Sequence, residues 1–427
     1  MECNQEELAT QNSHETSPET DHGAPYQDPD ESDYRFVSSF AKRETEFNNN
    51  RQEFATLDLL FEFPQPLARS IPSNNGIIRW GRDYIPVSKK HISTWDAFTE
   101  ENVNLMFHDF LLAREYQFNS KELNLAYWNT RGVDPRDLAA EYQIADWFSS
   151  RVWSAAIDFA LEKSAGELQE RVNSRDALAV KGLQEGAEIQ VKKGNRRRLV
   201  RPEWSVYYRT DSGRNSKESR MPGEGPSQQE IPVVPGDFKQ HMRFDPAELA
   251  GPARMSRGVY ATLGKVLMYC ELTKTRYSFI VSGDEVTLLR FYLVGGSRKR
   301  YGMHYVVLPW AKMEGRMLAW KAIWALVMLS MNDQHRPIAS EDDTRDLNEW
   351  ARFQEKGQTV WANHISKIVV ADGKQADEFR VVDASRDEFA AQLDQYSEVQ
   401  AAGSRPLTCH TVVCKGTGTV TYRIPPH

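Results

Sequence analysis

The chain has 427 residues, 40% hydrophobic and 26% charged, which excludes a collagen-like or low-complexity polymer and leaves room for two folded units with sizeable cores. Its formal net charge of −7 is uneven: residues 1–34 hold ten acidic side chains and no basic one, while the rest carries 53 basic against 50 acidic residues, a net of +3. Bulk charge therefore does not mark a strongly basic nucleic-acid binder. Cys3, Cys270, Cys409 and Cys414 are too few and too scattered for a disulfide framework, which implies a reducing compartment, cytoplasm or nucleus. The polar, acidic start has no signal-peptide pattern. The longest apolar run, 317–331, is interrupted by Lys321 and is too short for a bilayer, so no membrane contact is expected.

In chain order, residues 1–33 lack the aliphatic side chains to bury and predict an acidic disordered tail, with a polar linker to residue 50. Residues 51–133 predict a structural elaboration, with a short strand pair at 76–87 and a helix over 94–115 capped by Ser93 or Thr94. The core is expected over 134–333. Asp134-Pro135 opens a helix whose apolar stripe includes Leu138, Tyr142, Ala145, Val152, Ala156 and Phe159. Strands follow at 187–191, 199–208 and 231–239, the last two separated by a Gly-, Ser- and Pro-rich loop, 210–229. A helix at 255–273 buries Val259, Leu263, Val266, Leu267 and Cys270; strands at 276–282, 285–294 and 302–308 and a buried helix at 312–332 complete the core. Residues 334–427 form an α/β extension: a helix at 348–361, a hairpin of 365–371 with 378–382, and a β-rich end, 407–424.

The chemistry concentrates between Arg201 and Lys239. Glu203 follows Pro202 in the segment RPEW, and VVPGDFK ends a strand with Asp237 and Lys239 two residues apart. Side chains two apart on a strand share a face, so pairing of the two strands brings two carboxylates and an ammonium together. Such a set suits a hard divalent cation held by oxygens, with a lysine beside the water to be activated. The acid-x-Lys tripeptide recurs at Asp372–Lys374, but at an expected turn; only the first copy has an upstream Pro-acid strand and a following helix. Just before Glu203, 192–201 packs Lys192, Lys193, Arg196, Arg197, Arg198 and Arg201 into ten residues without an acid, either a solvated hairpin tip or a phosphate-backbone contact. Cys409, His410 and Cys414 have no second Cys/His pair nearby to complete a zinc site. No Walker phosphate loop, Rossmann glycine fingerprint, HExxH or GxSxG occurs.

The segments RPEW, PGDFK, LGKVLMYC (263–270) and TRYSFIVSGDEVTLLRF (275–291) resemble the PD-(D/E)XK nuclease-like proteins found in multiple copies in filamentous fungi, over about residues 135–332. The resemblance implies a restriction-endonuclease-like α/β fold with an αβββαβ core around a mixed sheet, and Mg²⁺- or Mn²⁺-dependent hydrolysis of DNA or RNA. The alternative is an inactive module of the same fold that grips nucleic acid or protein. It implies Glu203, Asp237, the Phe238 carbonyl and a helix acid as metal ligands, Lys239 as the catalytic lysine, and Lys265, where relatives often carry Gln, orienting a phosphate. The family pattern sets the helix acid about one turn before a tryptophan. Trp147 is that tryptophan, but Ile144 stands at the expected place, with Asp146 and Glu141 nearby; Asp146 is assigned as the third acid.

Overall fold

The structure is a computed structural model that describes residues 52–62, 67–70, 81, 83–119, 136–138, 140–173, 179–184, 189–193, 196–211, 228–241, 243–251, 255–295, 299–371, 379–401, 409–413 and 419–423. The expected acidic tail, most of the 210–229 loop, Asp134-Pro135, Cys414 and the second acid-x-Lys tripeptide lie outside them. Asn48–Ser404 forms one compact unit; outside it the described residues are an antiparallel hairpin, Cys409–Val413 with Thr419–Arg423.

The compact unit is mixed α/β. Seven strands, β1 (Val87–Thr94), β2 (Ala179–Gln184), β3 (Trp204–Asp211), β4 (Gln228–Phe238), β5 (Tyr277–Val281), β6 (Glu285–Val294) and β7 (Arg300–Pro309), form one sheet in the order β1-β7-β6-β5-β4-β3-β2. The β4–β5 and β1–β7 pairs are parallel and the others antiparallel. Three helices flank the sheet. The first, α1, is a continuous run of Glu141–Trp147, Phe148–Ile157 and Asp158–Asn173, in which the middle part has wide turns: the Asp158 N–H donates to the Trp153 carbonyl, five residues back. The others are α2 (Arg257–Thr273) and α3 (Ala319–Ser330).

Strand alternation sorts the core into two layers. Tyr277, Phe279 and Val281 of β5 pack with α1 and α3, while Ile280 packs with α2. Parallel strands need a crossover, and α2 supplies it between β4 and β5, its start capped by the Ser256 hydroxyl accepting from the Val259 N–H at 3.3 Å. No described helix is long and apolar enough to cross a membrane.

Several expected elements differ. The first core strand after α1 is Ala179–Gln184, and 187–200 instead holds a separate two-stranded ribbon, Ile189–Lys193 with Arg196–Val200. Pro202 has no N–H to donate, and the ladder breaks around it before β3 begins at Trp204. Leu138 belongs to a short strand, Arg136–Leu138, and α1 starts at Glu141, where the Gln143 side chain accepts from the Ala140 N–H at 3.1 Å. Tyr142, expected on the buried stripe, is exposed. Thr94 ends β1, and Thr99 caps the next helix, Glu100–Phe107, through the Asn102 N–H at 3.2 Å. Residues 348–361 are strands Glu349–Glu355 and Gln358–Asn363, not a helix. They turn at Lys356-Gly357, both in the left-handed region (φ 49° and 81°), which a helix cannot contain. Val369–Ala371 and Arg380–Val381 do not pair with each other; they lie on opposite edges of that four-stranded sheet.

Gly236, just before Asp237, is set by close approach. A Cβ there would stand 2.6 Å from Cζ of the Phe279 ring, which is enclosed in the core. Gly236→Ala is therefore expected to push β4 from β5 and cost about 1–3 kcal/mol, the usual range for overpacking, read as a lower denaturant midpoint at unchanged slope.

Candidate functional site

Three chain segments that are distant in sequence meet at the carboxyl end of β4. Trp204 pairs with Gly236, which sets Glu203 beside the residues that follow Gly236. Phe238 turns to the α1 face, where its ring packs 5.5 Å from Phe148 and 6.1 Å from Trp204. Alternation then sends Asp237 and Lys239 to the other face, toward α2 and Lys265. The parallel ladder continues one residue past β4, the Lys239 N–H donating to the Val281 carbonyl at 2.9 Å. The backbone carrying the pair is thus fixed on both sides.

The side chains form one ion-pair cluster. Glu203 accepts from the Phe238 N–H at 3.0 Å and from the Lys239 ammonium at 3.2 and 3.4 Å. Lys239 also donates to the Phe238 carbonyl at 2.6 Å and stands 3.1 Å from Asp237 Oδ2. Lys265 Nζ donates to Glu203 Oε1 and, at 2.9 Å, to Asp237 Oδ1. Asp237 is fully buried, and the Lys239 and Lys265 side chains are only 8% and 17% exposed, so these charges are held largely out of water. Burial pushes the Asp237 carboxyl up to about 7, and the Glu203 charge adds to the push against both lysines. Burial also opposes the Glu203 charge, but there the Lys239 and Lys265 ammonium groups win and hold the carboxyl well below its ordinary range. Burial works against the Lys265 charge too, and Asp237 and Glu203 together raise its affinity for its proton.

Of the residues expected at a site, Glu203, Asp237, Phe238, Lys239 and Lys265 come together. Asp146 is exposed on α1. The helix acid that enters the cluster is Glu141, five residues earlier and about 140° round the helix. Its carboxylate lies 3.5 Å from Lys239 Nζ and 3.0 Å from Arg243 Nη1. Sequence reading weighed Glu141 beside Asp146 and assigned Asp146. Arg243, four residues beyond Lys239, was overlooked because nothing in PGDFKQHMR marks it. Lys192, Lys193, Arg196, Arg197 and Arg198 fall on the two-stranded ribbon, with Lys192 opposite Arg197 and Lys193 opposite Arg196. The strand Ile189–Lys193 runs beside α2, and Arg201 is exposed between ribbon and β3.

The donor set can be tested against a divalent cation. Among the described residues, no three His, Cys, Asp or Glu side chains form a cage. Mg²⁺ does not require one: it keeps several waters and commonly takes one or two carboxylates together with substrate phosphate. Two carboxylates and the Phe238 carbonyl supply hard oxygen donors of that kind. Asp237 Oδ2 is enclosed and makes no hydrogen bond, though the Lys239 ammonium stands 3.1 Å from it. The residues fit such an ion. No protein-family model, curated protein or solved structure matches the chain.

Proposed function

We propose that the chain is a metal-dependent nuclease of the PD-(D/E)XK type, hydrolysing nucleic-acid phosphodiesters. The observation that carries the reading is the meeting of Glu203, Asp237, Lys239 and Lys265, from β3's leading edge, the end of β4 and α2, in one cluster whose most exposed member is Glu203. The element order α1, β2, β3, β4, α2, β5 reads αβββαβ and supports a restriction-endonuclease-like core.

Glu203, Asp237 and the Phe238 carbonyl would hold Mg²⁺ or Mn²⁺. That ion supplies positive charge against the phosphate and makes water a better nucleophile at neutral pH. The protein groups do the positioning. The Phe238 N–H fixes one oxygen of Glu203, and burial fixes Asp237. Lys239 presents a buried ammonium to the site, a donor aimed where negative charge develops during cleavage. Glu141, itself paired with Arg243, is a further partner of Lys239. Glu203 stands where an Asp is commoner in the motif, and its added methylene shifts the carboxylate by about one bond length.

The basic ribbon beside α2 would track the phosphate backbone. Replacing Arg196, Arg197 and Arg198 together is expected to weaken binding to all sequences alike, lowering the slope of log affinity against log salt by about one per lost phosphate contact. An unchanged slope would assign the ribbon to solvent alone.

A second reading is a binding module that keeps the fold without turnover. It is favoured by the closed charge network, in which each cluster ammonium already has carboxylate partners. Incubation of the full chain with single- and double-stranded DNA and RNA, with Mg²⁺, with Mn²⁺ and with EDTA, separates the two. Cleavage that needs the cation supports the nuclease; binding without cleavage under every condition supports the module.

A further inference from the structure

Lys265 occupies a particular place in the cluster. Its ammonium bridges Glu203 Oε1 and Asp237 Oδ1, one oxygen from each carboxylate that would face a cation. It reaches them from a different element than Lys239 does. Lys239 is rooted two residues from Asp237 on the same chain segment and is tied to the Phe238 carbonyl next to it. Lys265 extends from α2, which Leu263, Val266 and Leu267 seat on the sheet, and its side chain is the more exposed of the two. It can leave the carboxylates without disturbing β4. A compact, hydrated point charge between two acids is what a metal ion is in such a site.

Resting on the nuclease reading, we propose that Lys265 is a tethered counter-cation that a divalent ion must displace from between Glu203 and Asp237, and that it couples metal binding to substrate binding. In the free protein, the ammonium competes for the carboxylates and keeps metal affinity low. A substrate phosphate offers Lys265 an alternative anionic partner and draws it off the acids, so substrate raises metal affinity. Reciprocity of linkage requires that metal raise substrate affinity by the same factor. The two carboxylates remain neutralised at every stage, first by lysine and then by metal, and the site never holds an unpaired buried charge.

The test is calorimetric titration of Mn²⁺ into the full chain, alone and with a non-hydrolysable phosphorothioate oligonucleotide, for wild type, Lys265→Gln and Lys265→Arg. Lys299→Gln, at an exposed lysine on Glu271, controls for the loss of one positive charge elsewhere. Circular dichroism melts verify folding. Lys265→Gln is expected to bind Mn²⁺ alone about tenfold to a thousandfold more tightly than wild type, by analogy with the range over which one adjacent charge shifts a carboxylate's affinity for a proton. In Lys265→Gln the oligonucleotide should strengthen Mn²⁺ binding less than it does in wild type, leaving only the part due to phosphate on the ion. Lys265→Arg keeps the charge and should bind no more tightly than wild type, which preserves the test if Lys265→Gln does not fold. Equal Mn²⁺ affinity in wild type and Lys265→Gln, or tightening by Lys299→Gln to the same degree, overturns the counter-cation while leaving the nuclease reading standing. Absence of Mn²⁺ binding in every variant, with and without oligonucleotide, overturns both.

Discussion

Asp237→Ala is expected to bring divalent-cation binding and phosphodiester cleavage down together to background. The carboxylate is fully buried at the end of β4, and truncation removes both of its oxygens from the cluster. Its partner acid, Glu203, is engaged by the Phe238 N–H and both lysines and cannot hold an ion alone. Removing Asp237 also leaves two ammonium groups facing fewer acids, which raises the local positive charge and further disfavours a cation. Isothermal titration with Mn²⁺ and a gel assay on labelled DNA and RNA read the two losses on one preparation, and a thermal melt shows whether the fold is retained. Undiminished cation binding in Asp237→Ala would mean that the ion, if one acts, sits elsewhere.

Lys239→Ala should separate what Asp237→Ala removes together. Loss of a positive charge beside Glu203 and Asp237 leaves cation binding intact or slightly tighter. Cleavage should nevertheless fall by about a hundredfold or more, the scale of one lost transition-state donor. The variant therefore binds metal and nucleic acid but turns over slowly, a drop in kcat with little change in KM. Substitution of Asp372 or Lys374, the second copy of the tripeptide, serves as the control and should leave cleavage unchanged. Reversal of the two results would move the site from β4 to residues 372–374.

What the sequence could and could not convey follows from the range of each signal. The site residues on β4 were readable because a two-residue period puts Asp237 and Lys239 on one face regardless of what packs around them. Lys265 was readable from helical spacing against Leu263, Val266 and Cys270, although its bridge between two carboxylates was not, since that depends on where the helix docks. Glu141 was named but passed over for Asp146, because which acid enters the cluster depends on where α1 starts and how it docks. The strand at Ala179–Gln184 was hidden by the stronger β-like pattern that follows it, which belongs to the ribbon. Residues 348–361 read as helix because the turn between their strands begins with Lys356, a lysine where Asn or Asp would have marked a hairpin.

The edge strand β1 shapes how this protein reaches its native state. It joins the sheet only by parallel pairing with β7, and the two segments are separated in the chain by α1, α2, the ribbon and the sheet's five other strands. Strands β5, β6 and β7 follow one another and close as local antiparallel hairpins, whereas docking β1 requires a long loop to have lost its freedom already. Folding should begin in the β5–β7 meander and end at β1, which makes that edge the first to open under stress. The ion-pair cluster lies across β5, on β4, but α2, which brings Lys265 to it, also packs against β1, so loosening of that edge is expected to reach the cluster through α2.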